Sequence, residues 1–301
     1  MVVATGFFDG VHTGHRHVIT QLVEAAAARG DESMVVTFWP HPRNVLQKEA
    51  RSLRLLTTLA EKKQMLLDMG VDRVEVLDFT KDFSKMTTQE YLLMLKEKFG
   101  AKTILVGYDN RMGCDAKSAD QVMETAAQVG LEAIRTQMIP SEQGYAVSST
   151  KIRQKLEEGD VQAASAMLGY EYSLLGVVVA GNRLGRTIGF PTANMQLYEP
   201  LKLVPGNGVY FVRVSTLGQD LYGMCNIGCR PTVGLGNTRT IETHIFGFDE
   251  DIYGLDIKVT FLEKIRDEVH FASLEELKNQ LNRDKQTCLM SSRASEASRG
   301  I

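Results

Sequence analysis

Gly6-Phe7-Phe8-Asp9-Gly10-Val11-His12-Thr13-Gly14-His15 lies between the apolar run Val2–Phe7 and an alanine-rich helical segment, His15–Arg29. A short β-branched run that turns on glycine into a helix is the opening unit of an α/β domain. The rest of the first half repeats that unit. Val18, Leu22 and Val23 recur at helical spacing and Gly30 stops the helix; Met34–Phe38 reads as a strand and Leu59–Met69 as a helix ended by Gly70. Val74–Leu77, the helix Gln89–Phe99, Thr103–Val106, the helix Asp120–Val129 and a further strand over Leu131–Ile139 continue the alternation. This βαβα order predicts a Rossmann-like parallel sheet with helices on both faces. Its ligand site is expected at the carboxyl ends of the strands, where Gly6–Gly10 and Gly107–Asp109 fall.

Around Ser148 the pattern changes. Ser149–Leu156 and Val161–Met167 read as two short helices, separated by Glu157-Glu158-Gly159-Asp160. From Tyr172 the helical period is gone. Leu174–Val179, Val209–Val214, Leu221–Ile227, Glu242–Phe248 and Leu255–Phe261 are strand-like and punctuated by glycine and proline, which predicts a small antiparallel β-barrel. Leu274–Leu281 predicts one closing helix. The expected division is a first domain over residues 1–170, a second over 171–284 and a disordered tail over 285–301. Within that tail Ser291–Gly300 is rich in Ser, Arg and Ala and has no periodic face.

A chain of 301 residues can bury two cores of ordinary size. Its 44% hydrophobic and 24% charged composition is that of a globular protein, and a net charge of −3 argues against nucleic acid as a partner. No run of about 18 apolar residues is present to span a membrane. No basic segment with a cleavage site precedes Val2, so a cytoplasmic protein acting on small molecules is expected. Cys114, Cys225, Cys229 and Cys288 make neither a zinc pattern nor a disulfide framework, and ordinary thiols are expected.

The quoted turn carries the first candidate site. From Gly6 and Phe7 through Asp9 it runs into a helix start, where unpaired N–H groups and the positive dipole end favour phosphate. His12 and His15, three apart, can face the same side of the first turn and stabilise charge as pyrophosphate leaves. Asp9 and Gly10 would form the turn itself. A histidine pair is more often an ordinary loop feature; the strand–turn–helix setting is what points to function here. Ser148-Ser149-Thr150-Lys151-Ile152-Arg153 opens another expected helix. Its hydroxyls and cations, among them Ser149, Thr150 and Arg153, offer a second phosphate surface.

Gly185-Arg186-Thr187-Ile188-Gly189-Phe190-Pro191-Thr192-Ala193-Asn194 carries the second candidate site. Gly185 and Gly189, with Arg186 between them, let the backbone approach phosphate, and Pro191 fixes the approach to Thr192. The Thr192 hydroxyl and the Asn194 amide oxygen are hard ligands that suit a magnesium ion bridging ATP phosphates. This is not a Walker loop, because no Gly-Lys-Ser/Thr follows a spaced glycine. Glu242 and His244 alternate on an expected strand and so share a face; Glu242 is the better base for an accepting hydroxyl.

The first-half motifs resemble the nucleotidyltransferases that carry HxGH and ISSTxIR-like motifs. Together with Thr37-Phe38-Trp39-Pro40-His41-Pro42 and Val106-Gly107-Tyr108-Asp109, they are more similar still to bacterial bifunctional riboflavin kinase/FAD synthetases. In the second half, residues 185–194, Asn226-Ile227-Gly228 with Pro231-Thr232, and Glu242-Thr243-His244 stand in the order of that family's kinase domain. The resemblance covers about residues 1–284. It implies phosphorylation of riboflavin to FMN with MgATP, then transfer of AMP from ATP to FMN to give FAD. His12 and His15 would bind phosphate and Asp109 the nucleotide, with Ser149, Thr150 and Arg153 closing on the phosphates. Thr192 and Asn194 would coordinate magnesium and ATP. Glu242 would activate the ribityl hydroxyl, with Pro191 and Arg266 beside the flavin and the helix around Leu274–Leu281 covering it. Asn110-Arg111-Met112-Gly113 departs from the family's usual aromatic-Arg-aromatic-Gly, Val233 replaces a usual aromatic, and the chain starts later than is usual. These departures leave open a riboflavin kinase with an impaired adenylyltransferase half; a flavin or nucleotide sensor without turnover is a second alternative, against which the intact His12, His15, Thr192, Asn194 and Glu242 speak.

Overall fold

The computed structural model describes residues 1–46, 53–107, 111–136, 147–181, 184–232 and 236–299. The chain divides into two compact units, Met1–Ser149 and Thr150–Ile301. The first unit runs β1 (Val2–Thr5), α1 (Thr13–Arg29), β2 (Ser33–Trp39), α2 (Pro42–Leu46), α3 (Leu59–Asp68), β3 (Arg73–Asp78), α4 (Thr88–Phe99), β4 (Thr103–Val106), α5 (Ala119–Gln128) and β5 (Glu132–Arg135). Its strands form a five-stranded sheet in the order β3-β2-β1-β4-β5, parallel throughout.

Alternation along β1 explains the two helix layers. Val2 and Ala4 pack with Ile19, Leu22 and Ala26 of α1 and Leu66 of α3. Val3, pointing the other way, packs with Leu92 and Leu95 of α4 and Val122 and Ala126 of α5. Each buried aliphatic side chain is worth about 1.5–3 kcal/mol of transfer free energy, so neither face can be left to water. The helix starts are written locally: Thr58 with Glu61, and Thr87 with Glu90, form capping boxes at α3 and α4. Gly30 (φ 63°) and Gly100 (φ 67°) end α1 and α4 in the left-handed conformation.

The second unit opens with α6 (Ser149–Glu158), whose first residue ends the first unit, and α7 (Val161–Leu168). The sequence pattern assigns both helices to the first domain; in the structure they belong with the barrel. The Gly206 N–H donates to the Leu156 carbonyl at 2.7 Å, and α7 packs on the last strand. The barrel follows as β6 (Ser173–Val179), α8 (Leu184–Thr187), β7 (Ala193–Leu197), β8 (Gly208–Thr216), β9 (Gln219–Thr232), β10 (Gly236–Ile245) and β11 (Asp256–Arg266). It is closed and antiparallel, in the order β10-β7-β6-β11-β8-β9. The short strand β7 escapes the sequence pattern because five residues between polar loops show no clear alternation.

The closing helix is longer than the pattern predicts. α9 runs from Leu274 to Arg299 without a break, where an unstructured tail is expected from residue 285. No Gly or Pro interrupts it before Gly300, and Cys288 is fully buried against Phe190, Val209, Phe211 and Met224. Tertiary packing thus carries a helix that its own weak periodicity does not. The four cysteines are free thiols. No described helix is long and apolar enough to cross a membrane.

Candidate functional site

In the first unit β1 sits between β2 and β4, so the chain leaving Thr5 enters the crevice where the strand order reverses. The turn it makes is strained. Phe8 (φ 51°), Gly10 (φ 82°) and Val11 (φ 36°) all lie in the left-handed region, which a β-branched residue rarely occupies. Asp9 holds the turn there. Its carboxylate accepts the N–H groups of Leu56 (3.0 Å) and Thr57 (3.1 Å), and the Gly10 N–H donates to the Thr57 hydroxyl (3.1 Å). The Asp9 carbonyl accepts the Ser149 hydroxyl at 3.0 Å. With its carboxylate engaged by the protein, Asp9 is a builder of the turn.

The turn delivers the two histidines. His12 caps α1: its Nδ1 accepts the His15 N–H at 3.4 Å, which leaves the neutral ring's proton on Nε2. The two rings stack, with centroids 3.6 Å apart and 18° between planes, and Phe8 meets His15 edge-on at 5.3 Å. Burial lowers the His12 pKa from 6.5 to about 4. Burial, with His12 and Lys62 nearby, holds His15 well below its ordinary value, and its buried Nδ1 has no hydrogen-bond partner among the described residues. Both rings are neutral at pH 7, so they offer an anion N–H groups and not charge.

The sequence reading missed the charge beneath them. Lys62 of α3 is 2% exposed and donates to the Phe7 carbonyl at 2.8 Å. It also missed a cavity of about 440 Å³ beside Gly6, walled by Phe7, Phe38, Phe79, Phe83 and Met112 with Arg111. Its aromatics come from separate elements and interlock edge-on, as Phe79 does with Phe83 at 5.6 Å. At one wall the Thr5 and Tyr91 hydroxyls are hydrogen-bonded at 2.6 Å. Met112 is buried in the core as well as lining this space, so the departure from an aromatic there keeps an apolar wall. Asp109 lies outside the described residues. Thr150 stands on the first turn of α6 and Arg153 at the start of the second.

In the second unit a cavity of about 260 Å³ opens between the barrel and α9, lined among others by Thr192, Asn226, Glu242, His244, Arg266 and Glu268. Register explains the grouping. Glu242 of β10 pairs with Asn194 of β7 on one side and Asn226 of β9 on the other. Directly paired residues share a face, so the three side chains form one polar row across three strands. Valines bound it: Val179 pairs with Asn194 and Val209 with Asn226. Two residues on, His244 pairs with Met224, and both face the same cavity.

His244 anchors the loop that presents Thr192. Its Nδ1 lies 2.8 Å from the Pro191 carbonyl, which can only accept, so Nδ1 carries the proton. Burial lowers the His244 pKa, keeping the ring neutral against Phe190 at 5.1 Å. Gly185 is required for a reason other than the expected approach to phosphate. It accepts from the Phe190 N–H at 2.8 Å, and a Cβ there would strike the Phe190 carbonyl. Gly189 turns at φ 85°, and the exposed Arg186 sits in the single turn of α8, where the pattern suggests strands. The Asn194 side chain covers Gly181, where any Cβ would collide with it.

Arg266 lines the cavity with its guanidinium already committed. Nε and Nη2 donate to the Asp284 carboxylate at 3.0 and 2.8 Å, and Gln280 donates to the same carboxylate at 2.9 Å. Asp284 is buried on α9, so this fork ties the closing helix to the barrel. No group of three or more His, Cys, Asp or Glu is placed to hold a metal among the described residues. The polar row, with Thr192 beside the same cavity, instead supplies amide, hydroxyl and carboxylate oxygens, the donors that a hard cation such as magnesium takes.

A switch-point turn for an anion in one unit and an oxygen-lined barrel cavity in the other define a two-site nucleotide enzyme. Comparison with known proteins gives it a family. A family model for FAD synthetase matches residues 1–151, and one for riboflavin kinase matches residues 168–291. The chain is 38% identical to the bifunctional riboflavin kinase/FMN adenylyltransferase of Escherichia coli K12, over 95% of this chain and 91% of that protein. It is 33% identical to the enzyme of the same description from Bacillus subtilis 168, over 96% and 91%. A crystal structure described as a macrolide-efflux protein from Streptococcus pneumoniae superposes with a TM-score of 0.89 at 34% identity, covering 95% of this chain and 93% of that one. The chain belongs to the bifunctional riboflavin kinase/FMN adenylyltransferase family, and it is an enzyme with both activities.

Proposed function

We infer that the barrel unit phosphorylates riboflavin and that the sheet unit adenylylates the FMN so formed. The observation that carries this assignment is shared by the two units: each sets a phosphate-facing group of residues beside an apolar cavity.

In the barrel, the flavin ring would lie among Ile188, Phe190, Val209 and Leu281, with its ribityl chain toward the polar row. Glu242 takes the proton from the terminal hydroxyl as that oxygen attacks the γ-phosphorus, and ADP leaves. Thr192 and Asn194 would hold magnesium, whose charge, when bound, offsets that of the phosphates. His244 keeps Pro191, and with it Thr192, in place.

In the sheet unit, the FMN ring would occupy the aromatic cavity and its phosphate the mouth of the Gly6–His15 turn. A phosphate oxygen of FMN attacks the α-phosphorus of ATP and pyrophosphate departs. The neutral N–H groups of His12 and His15 and the α1 start stabilise the charge as it builds. Ser149, which ends this unit, is proposed to meet the phosphates, as the family motif implies.

Purified chain incubated with riboflavin, ATP and magnesium, with flavins resolved by chromatography, tests the assignment. FMN followed by FAD is expected. Glu242→Gln supplied with FMN should still make FAD, and failure there would break the division of labour between the units.

A further inference from the structure

Lys62 is a buried cation that the assignment above does not use. Its Nζ donates to the Phe7 carbonyl (2.8 Å) and the Thr37 hydroxyl (2.9 Å) and stands 3.9 Å from the centroid of the Phe7 ring. Thr37 donates in turn to the same Phe7 carbonyl at 3.1 Å. Asp9 favours the ammonium through space, yet its carboxylate is engaged by Leu56 and Thr57. An ammonium buried with neutral acceptors is less stable than an apolar side chain of its shape, so the fold by itself gives no reason for it. Its contacts all lead to one place. Phe7 sits directly before the strained residues Phe8 to Val11, and the charge reaches His15, which it helps keep unprotonated.

We propose that Lys62 is a positioning residue for adenylyl transfer: it holds the Gly6–His15 turn in its anion-receiving form and sets a positive charge beneath it. That charge draws the ATP phosphates onto the neutral N–H groups of His12 and His15. The inference rests on the assignment of this turn to adenylyl transfer. Burial lowers the Lys62 pKa from 10.5 to about 8, with Asp9 opposing. Asp9 and His15 of the turn interact with it through space, and His41 lies against the Phe7 ring at 4.0 Å. Carboxylates and imidazoles ordinarily change charge below about pH 7, so an alkaline limb that disappears when Lys62 is replaced belongs to Lys62.

The test is FMN adenylylation by the full chain across about pH 6 to 10, for wild type, Lys62→Met and Lys62→Gln. FMN binding, thermal unfolding and riboflavin phosphorylation are followed in the same samples. In the wild type, kcat/KM for ATP should fall with an apparent pKa near 8. Both variants should lose that limb and about 10²-fold in efficiency, chiefly through KM for ATP. FMN binding, phosphorylation and thermal stability should be kept. Variants as active as wild type, a limb that persists in them, or stability falling in step with activity would each overturn the role. If neither variant folds, Lys62→Arg takes their place: a limb near 8 that disappears while the charge is kept supports the role, and a limb that persists overturns it. His15→Asn separates the two claims. An active His15→Asn would sink the assignment of the turn, whereas an inactive one beside active Lys62 variants would sink only the role of Lys62.

Discussion

The proposed site of the first unit would meet phosphate with buried nitrogen, through His12, His15 and Lys62 about a helix start, whereas that of the second would meet it with oxygen, through Thr192 on a loop and Asn194 and Glu242 on barrel strands. The difference follows the backbone. A helix N-terminus already presents donors and a positive dipole end, which neutral imidazoles can extend. A closed antiparallel barrel uses its main-chain groups in strand pairing and has little dipole, so an anion there needs side-chain ligands and a bridging cation. Strain is placed accordingly. The first site bends its backbone at Phe8, Gly10 and Val11, while the second keeps regular pairing through Glu242.

The sharpest way to break the contrast is at the carboxylate. Glu242→Gln keeps the polar row and removes the base, so riboflavin phosphorylation should fall about 10³-fold with adenylylation intact. Steady-state assays of each step in one preparation check it; normal phosphorylation would end the base assignment. Next in size, His15→Asn should lower adenylylation about 10²-fold or more and leave phosphorylation alone, as removal of one preorganised donor does elsewhere.

The pH dependence of stability should also report on the first site. The folded His12 pKa of about 4 lies below the unfolded 6.5, so the unfolded chain binds more protons between those values. Stability is full above the unfolded pKa, and falls as the pH drops toward 4 by roughly 3 kcal/mol from this group. Calorimetric unfolding of the full chain at pH 7 and pH 5 should show the first unit losing stability, and His12→Asn should flatten that loss. The smallest effect is expected at His244. His244→Asn shortens the anchor to Pro191 and should cost about 10-fold in kinase kcat, with flavin binding little changed. An unaltered kcat would show that the Thr192 loop holds itself.

Much of this protein is legible in one dimension. The βαβα alternation, the capping residues, the strand-rich second half and the motif residues His12, His15, Thr192, Asn194 and Glu242 all follow from local pattern, because their spacing is set by helix and strand periods. Other features depend on neighbours distant in sequence. Lys62 looks like one more charge on an amphipathic helix until Phe7 and Thr37 close over it. Asp9 can be placed in the turn from sequence, but not the Leu56 and Thr57 amides that hold its carboxylate there. The Asn194–Glu242–Asn226 row exists only once β7, β10 and β9 are in register, and the reach of α9 to Arg299 only once Cys288 is buried. Sequence by itself determined which chemical groups are present and the element each rides on, since those depend on residues within a few turns. Which of those groups are buried, paired or left to face a ligand was decided by tertiary structure, since burial and partnership arise between residues that only the fold brings together.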